Sequence, residues 1–408
     1  VEAMSGGGDG RIPVIAVTGT NGKTTTALMI AHCARMTGLS TGVTTTEGVY
    51  INGRRIIEGD CAGYHSARVL LTSPDVDIAV LETARGGILK RGLAFDRCCV
   101  GVVLNVSADH LGLDGVDTVD DLARVKAVVA QAASQAGVLN ADDTYCVAIG
   151  AQPDVEADRI YFSMNPDNPV LLRHLEQGGR AVWLHDGALM VDSGELRCVV
   201  LTAKEMPAAM HGHARYNIAN GLAAAAALMG AGFTNAQIAA GLATFISDAG
   251  SNPLRSNVYS ARGVTVVVDY AHNPAAYAAL SEMARSISQG RRVAVITSPG
   301  DRRTTDLLEI GRTCATGFDE LFVYEAEPRG RACGETAGII LDGARDGGKD
   351  DALLHAIVPV GDAFDAALAR CAPGDVLVFA CGCAATAQMH TARHMDAASH
   401  DQLRNAAG

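Results

Sequence analysis

The stretch Gly19-Thr20-Asn21-Gly22-Lys23-Thr24-Thr25 decides the fold of this chain. The apolar run Val14-Ile15-Ala16-Val17 precedes it, and the helical pattern Ala27-Leu28-Met29-Ile30-Ala31 follows. A strand, a Gly-rich turn and a helix N-terminus, in that order, make a phosphate cradle. Backbone N–H groups and the positive end of the helix dipole face the anion, Lys23 adds a point charge, and the Thr24 hydroxyl is a ligand for Mg²⁺. The run therefore predicts binding of a nucleoside triphosphate. The position five before Gly22 is Val17 rather than Gly, so the spacing is shorter than in the common P-loop. A plain turn between strand and helix is the competing reading, and a GK[ST] triplet at such a junction argues against it.

The 408 residues suffice for two or three domains with large buried cores. A hydrophobic content of 48% with 19% charged residues describes a globular chain. The balance of 33 basic and 45 acidic residues, a net −12, argues against a general nucleic-acid surface. The 11 cysteines show no repeated CxxC pair and read as buried cytosolic thiols. The most Ala-rich segment, 218–232, is too short and too rich in Ala and Gly to span a bilayer. No basic and apolar leader opens the chain, so the expectation is a cytoplasmic protein without a membrane partner.

Residues 1–10, VEAMSGGGDG, have linker composition and do not begin with Met, which suggests a piece of a longer chain. Between residues 11 and 247, Val/Ile-rich runs such as Ile78-Ala79-Val80-Leu81 and Cys99-Val100-Gly101-Val102-Val103-Leu104 alternate with helical patterns. This alternation predicts an α/β domain with a mainly parallel sheet. A loop containing Gly250, Asn252 and Pro253 follows. The pattern then restarts at Val264-Thr265-Val266-Val267-Val268, predicting a smaller α/β domain over 248–408.

Three segments each place a chemically useful group just beyond a predicted strand end, where α/β sheets bind ligands. Glu82, in LETARGGI, is a hard oxygen ligand for Mg²⁺ or, alternatively, a helix cap. His110, in NVSADHLG, is a donor to or ligand of the same ion, and Asn105 and Asp109 beside it make a polar strand end poorly suited to a core. Lys126 is the third. Asn217 and Asn220 lie on a helix of small apolar residues, where buried amides need partners. Arg302 and Arg303, in Gly300-Asp301-Arg302-Arg303, suit carboxylate or phosphate recognition, with solvated surface arginines as the alternative.

The runs VTGTNGKTTT, ETARGGIL, NVSADHLG and LARVK resemble the Mur ligase superfamily, and within it the Mur-ligase-like half of the cyanophycin synthetase family, over nearly the whole chain. The resemblance implies a P-loop ATPase domain followed by a Rossmann-like lid domain. It implies ATP held by Gly19, Thr20, Asn21, Gly22, Lys23, Thr24 and Thr25, and Mg²⁺ held by Thr24, Glu82 and His110. Lys23, His110 and Lys126 would be the catalytic residues. Lys126 aligns with a lysine that many members carbamylate, a plain surface lysine being the alternative. Asn140, in Asn140-Ala141-Asp142-Asp143, would stand on the adenine side, although this cluster also reads as an ordinary turn. Asn217 and Asn220 would lie beside the nucleotide. Asp269-Tyr270-Ala271-His272-Asn273-Pro274 resembles the family's DYAHxP motif, with Asp269 on the ribose and His272 and Asn273 toward the substrate. Arg255 would reach the nucleotide, but the family's Pro-Gly-Arg is here Pro253-Leu254-Arg255, which predicts a reshaped loop because Leu disfavours positive φ.

The implied activity is an ATP-dependent amide ligase that activates a side-chain carboxylate as an acyl phosphate and joins an amine to it. By resemblance the amine is arginine and the acceptor poly-aspartate, with Arg302, Arg303, Glu325 and Glu327 at the substrate. The acidic stretch Glu325-Ala326-Glu327-Pro328-Arg329-Gly330-Arg331 is thin for guanidinium recognition, which leaves lysine or another amino acid open. The resemblance further implies a homo-oligomer and an ATP-grasp half on a longer chain. The alternatives are a Mur-like or folylpolyglutamate-like ligase with another donor and acceptor, a P-loop kinase or phosphatase, and a non-catalytic nucleotide- or polymer-binding module.

Overall fold

The computed structural model describes residues 12–396 apart from residue 195, so the stretch 1–10 read as a linker lies outside the described residues. The chain forms two compact units. The first takes the chain up to Ser107 together with Val116–Phe245, and the second takes Ala108–Gly115 and the chain from Ile246 onward.

In the first unit the elements run β1 (Val14–Thr18), α1 (Lys23–Met36), β2 (Thr41–Thr45), β3 (Gly48–Ile51), β4 (Arg54–Glu58), α2 (Tyr64–Leu71), β5 (Ile78–Glu82), α3 (Arg85–Arg91) and β6 (Cys98–Val103). They continue with α4 (Val119–Gln131), β7 (Ala133–Asn140), α5 (Thr144–Gly150), β8 (Asp158–Ser163), α6 (Pro169–Glu176), β9 (Arg180–His185), β10 (Ala188–Asp192), β11 (Arg197–Thr202), α7 (Arg215–Gly230) and α8 (Asn235–Leu242). One 11-stranded sheet results, in the order β11-β10-β9-β8-β7-β6-β1-β5-β2-β3-β4. Its centre, from β2 through β9, is parallel, and the antiparallel pairings are those at the two flanks, β2–β3 and β3–β4 on one side and β9–β10 and β10–β11 on the other.

The period of two along β1 explains why the centre reads as unbroken apolar sequence. Ile15 and Val17 point into one core with Met29 and Ile30 of α1 and Leu222 of α7, whereas Val14 and Ala16 point into another with Leu81, Cys98 and Val129. Both faces are covered, and each fully buried Val, Ile or Leu contributes about 1.5–3 kcal/mol. The Ala-rich segment noted in the sequence is the middle of α7. Its short side chains, Ala223 to Ala227, are completely buried and let the helix lie close to β6, β7 and β8.

The second unit contains β12 (Asn257–Ala261), β13 (Val264–Asp269), α9 (Pro274–Ile287), β14 (Arg292–Ile296), α10 (Thr304–Gly317), β15 (Glu320–Val323), α11 (Glu335–Asp346), β16 (Leu354–Ala356), α12 (Val360–Arg370), β17 (Val376–Ala380) and α13 (Ala384–Ala392). Its sheet runs β12-β13-β17-β14-β15-β16, parallel except for β12. Val266, Val268, Val293, Val295, Phe322 and Phe379 fill its core. The mixed α/β architecture, a large mainly parallel sheet followed by a smaller α/β unit, is the class expected from the sequence. Among the described residues no helix is long and apolar enough to cross a membrane.

Candidate functional site

The P-loop is built from the strand end outward. After β1 the chain turns at Gly22, φ 87°, which is the N-cap of α1 and offers no side chain to cap the helix. A Cβ at position 22 would stand 2.3 Å from Oδ1 of Asn220, so glycine is required by space as well as by φ. Asn105, at the end of β6, fixes the approach to the loop. Its Oδ1 accepts from the N–H groups of Thr20 (3.1 Å) and Asn21 (2.9 Å), and its Nδ2 donates to the carbonyl of Asn21 (3.1 Å). Thr20 Oγ1 donates to the carbonyl of Ser107 and accepts from its N–H. Lys23 Nζ lies against the carbonyl of Thr20 at 2.9 Å.

Hard oxygen donors gather at the end of β5. Thr24 Oγ1 donates to Glu82 Oε2 at 2.9 Å, and the N–H of Thr46 donates to the same oxygen at 3.2 Å. Because the single proton of Thr24 goes to Glu82, the hydroxyl of Thr46, 3.1 Å from Thr24 Oγ1, is the donor in that pair. Glu82 is only 2% exposed, and the N-cap of the following α3 is Ala84, so Glu82 is not a helix cap. A buried carboxylate with two hydroxyls beside it is a donor set suited to a hard divalent cation.

Lys126 is 3% exposed, and its Nζ donates to the carbonyl of Gly19 at 2.7 Å. The surface-lysine alternative is thereby set aside: α4 carries this cation to the back of the P-loop. Asn217 and Asn220 find the partners their burial demands, Asn217 donating to the carbonyl of Ala208 and Asn220 to Oδ1 of Asn217. Asn140 donates to the carbonyl of Leu104 and accepts from the N–H of Asp142, while Asp143 caps α5 and accepts from Val106. The cluster at the end of β7 is thus a hydrogen-bonded turn that also braces the end of β6.

His110 belongs with the second unit, where it meets Asp109, His272 and Arg302. Arg302 is 4% exposed, not solvated. It places Nη2 3.0 Å from His110 Nε2, Nε 3.4 Å from Asp109 Oδ1 and Nη1 2.7 Å from Asp301 Oδ1. Since a guanidinium only donates, His110 Nε2 is the acceptor. His272 contacts the carbonyl of Tyr270 through Nδ1 (2.9 Å) and Asp109 through Nε2 (3.5 Å). Burial works to raise the Asp109 carboxyl, but the hydrogen bond from His272 and the charges of His272 and Arg302 hold it well below the ordinary carboxylate range. Donor atoms of Asp109, His110 and His272 lie within 4.8 Å of one another. The guanidinium of Arg302 already faces both Asp109 and His110, so this cluster holds a fixed cation of its own.

Elsewhere in the second unit several expected ligand residues have local duties. Arg303 pairs with Asp306 through two hydrogen bonds, of 2.8 and 2.7 Å, at the start of α10. Glu325 accepts from the N–H groups of Gly334 and Thr336, which ties its carboxylate to the N-terminus of α11. Asn273 caps α9 through Ala276. Asp269 accepts from the N–H and hydroxyl of Ser256, and burial holds its carboxyl above the ordinary range against the opposing pull of Arg255. The Arg255 guanidinium lies 4.7 Å from the ring centroid of Tyr270. Leu254 adopts φ 59°, in the left-handed region that leucine disfavours, and its side chain, 2% exposed, joins the core of the unit. Burial of that side chain offsets the strain of the left-handed backbone.

Two residues of this site escaped the reading of the sequence. Asn105 was noticed only as polar company for His110, although it pins the P-loop, and Thr46 gave no signal at all because a Thr-rich strand end is ordinary.

Comparison with known proteins bears on this site. The Mur ligase middle domain matches residues 17–228, and the Mur ligase glutamate ligase domain matches residues 254–383. The chain is 44% identical over 361 residues to the cyanophycin synthetase of Synechocystis sp., covering 87% of this chain and 41% of that protein. It is 27% identical to the UDP-N-acetylmuramyl-tripeptide synthetase of Deinococcus radiodurans, covering 93% and 74% of the two chains. The chain therefore spans less than half the length of the cyanophycin synthetase it matches. Among solved structures, the folylpolyglutamate synthase of Mycobacterium tuberculosis complexed with ADP and AMPPCP superposes with a TM-score of 0.67 at 20% identity, over 97% of this chain and 94% of that one. A pseudomurein peptide ligase type C from Methanothermus fervidus gives 0.66 at 18% identity, over 96% and 80%. These structural likenesses show a shared fold.

Proposed function

This chain belongs to the Mur ligase family, and from that premise we propose that it is an ATP-dependent amide ligase that joins arginine to the side-chain carboxylate of a poly-aspartate acceptor. The observation that carries the reading is the pairing of Thr24 with the buried Glu82 at the mouth of a P-loop whose helix N-terminus has no side-chain cap.

The proposed chemistry begins with the acceptor carboxylate. One of its oxygens attacks the γ-phosphorus of ATP, the bond to the β–γ bridging oxygen breaks, and ADP leaves. The amine then attacks the acyl carbon, phosphate departs, and the amine gives up a proton. The α1 N-terminus and Lys23 hold the phosphates against mutual repulsion. Thr24 and Glu82 would hold Mg²⁺, with His110 as a further ligand; the bound ion would neutralise charge that develops on the transferred phosphoryl group. Lys126 keeps the loop in register from behind. Asn140, Asn217, Asn220, Arg255 and Asp269 are assigned to the nucleotide, and His272, Asn273, Arg302, Arg303, Glu325 and Glu327 to the substrate. Carbamylation of Lys126, a homo-oligomeric assembly and an ATP-grasp half on the same full-length chain belong to the same proposal.

The test is ADP release with ATP, Mg²⁺ and poly-aspartate, with each amino acid added in turn and the product weighed by mass spectrometry. Arginine-dependent release with one arginine added per acceptor carboxylate supports the proposal. Stimulation by another amine moves the donor, and stimulation only by a cell-wall or folate acceptor moves the chain to a different ligase. ATP binding without turnover on any pair overturns the enzymatic reading.

A further inference from the structure

Cys381, Gly382 and Cys383 make the whole connection between β17 and α13, so two thiols stand on either side of one glycine where a strand turns into a helix. A disulfide needs Cα atoms about 4.4–6.8 Å apart. Two residues of fully extended chain span about 7 Å, so a Cys-x-Cys pair comes well within that range where the backbone turns. Here it does turn. Sγ of Cys381 donates to the carbonyl of Cys383 at 3.3 Å, which brings the first sulfur onto the residue that carries the second.

The two cysteines differ in access. Cys381 is 3% exposed and belongs to the core of the second unit, whereas Cys383 is exposed. Burial raises the Cys381 thiol above its ordinary value, so at neutral pH this sulfur keeps the proton with which it makes the hydrogen bond just described. Cys383 is the N-cap residue of the nine-residue α13, open to a reagent arriving from solvent. One sulfur is placed to react first and the other to resolve the product.

The same turn holds part of the adjacent strand end. The N–H of Cys381 donates to the carbonyl of Asp269 at 2.8 Å, and Ala380 is in register with Asp269 across the β13–β17 ladder. The hydroxyl of Tyr324 donates to the carbonyl of Ala380 at 2.9 Å from the other side. A Cβ on Gly382 would lie 4.0 Å from Cε2 of Tyr270, the ring against which the Arg255 guanidinium rests. A bond that tightens the cysteine turn therefore pulls on Asp269 and Tyr270.

We propose that Cys381 and Cys383 form a reversible dithiol–disulfide site, oxidised by the disulfide of a small thiol, and that its closure displaces the Asp269–Tyr270 segment. The thiol chemistry stands apart from the ligase reading; only the effect on nucleotide binding rests on the assignment of Asp269 to the nucleotide. In the first step Cys383 gives up its proton and attacks one sulfur of oxidised glutathione. The S–S bond of that reagent breaks, and one glutathione leaves with the electron pair and takes up a proton. Cys381 then loses its proton to water and attacks Cys383 Sγ in the mixed disulfide, expelling the second glutathione. Two electrons pass from the protein dithiol to the glutathione disulfide, and two glutathione thiols appear for each bond formed. The short span strains this bond, which makes it easier to reduce than a structural disulfide.

The experiment equilibrates the full chain with reduced and oxidised glutathione at a series of ratios, traps the remaining thiols with iodoacetamide and maps the peptides by mass spectrometry. In wild type the peptide holding both cysteines is expected to lose about 2 Da, reversibly with dithiothreitol. Cys381→Ser is expected to stop at a glutathione adduct on Cys383, and Cys383→Ser to leave Cys381 as a thiol. The exposed Cys383→Ser substitution keeps the comparison valid if replacement of the buried Cys381 unfolds the chain. Oxidation of wild type should speed hydrogen exchange over residues 269–271 and weaken binding of a fluorescent ATP analogue by about twofold to tenfold, the worth of one hydrogen bond, whereas Cys383→Ser should show neither change. A wild-type adduct that never resolves, a bond from Cys383 to any other cysteine, or a closed 381–383 bond with unaltered exchange overturns the proposal. So does a loss of affinity on oxidation that persists in Cys383→Ser. Faster exchange on oxidation in a protein that binds no nucleotide in either form removes the nucleotide assignment of Asp269 and leaves the disulfide site standing.

Discussion

Lys126 Nζ donates to the main-chain carbonyl of Gly19 at 2.7 Å from a side chain that is almost completely buried. A lysine distant in sequence thus carries the first glycine of the P-loop. Lys126→Ala leaves that carbonyl without its donor, at a cost of about 1–3 kcal/mol. Nucleotide affinity is expected to fall by about fivefold to a hundredfold, measured by titration with a fluorescent ATP analogue. An unchanged affinity would show that the bond is incidental to the loop.

Gly22→Ala meets two obstacles, the left-handed φ of 87° and the carboxamide oxygen of Asn220 at 2.3 Å. Nucleotide binding in this variant should drop by more than about tenfold. Asn220→Ala in the same chain removes the steric obstacle but not the backbone one, so the pair should recover part of the loss. A double-mutant cycle measures that coupling, and strict additivity would mean that Asn220 does not press on the loop.

Leu254→Gly relieves left-handed strain of about 1–2 kcal/mol. It also removes a side chain packed among the core residues of the second unit, at about 2–5 kcal/mol for a comparable Leu→Ala change. The second effect is larger, so the variant should unfold at a lower temperature in scanning calorimetry. A stabilised variant would mean that the leucine is tolerated rather than used.

Arg292 holds Asp319 through Nε and Nη2, at 3.0 and 2.7 Å, and its N–H donates to the same carboxylate. Burial acts to raise the Asp319 carboxyl, but the Arg292 hydrogen bonds and charge lower it overall. A carboxyl whose folded pKa is depressed stabilises the fold above its unfolded value, near 4, and the contribution is lost as pH falls through the folded value. Asp319→Asn should therefore lower the unfolding free energy from urea titration at pH 7 by less than about 1 kcal/mol, since the pair is partly solvated. The gap from wild type should narrow as the pH is taken toward 3. A gap that is constant with pH would assign the effect to packing.

The strands were legible because burial on both faces makes a parallel strand an unbroken Val/Ile run, as in β1, β6, β13 and β17. The antiparallel hairpin β3–β4 carried less signal, because every residue of β4 is exposed and its sequence, Arg54 to Glu58, is largely charged. The P-loop was legible because a turn that exposes backbone N–H groups needs glycine at a fixed place. Chemistry at Glu82 was legible as a carboxylate ending a strand, though not its hydroxyl neighbours Thr24 and Thr46 as a set. In the second unit, residue type alone could not separate a free carboxylate from an engaged one: Glu325 and Glu327 look alike in sequence, yet one is tied to a helix end and the other faces Arg329.

The sequence by itself determined the alternation of strands and helices, the Gly-rich turn after β1 and the family resemblance, since all of these depend on residues that are neighbours along the chain. Only the tertiary structure decided which groups support that turn and which cations are committed. Asn105 reaches Thr20 across 85 positions and Lys126 reaches Gly19 across 107, and nothing local marks either partner. Arg302 and Arg303 are adjacent in sequence, but one is buried against Asp109, His110 and Asp301 while the other pairs with Asp306 in the first turn of α10. The physical reason is that a hydrogen bond requires partners about 3 Å apart in space, and for these groups that proximity is created by strand order in the sheet rather than by position in the chain.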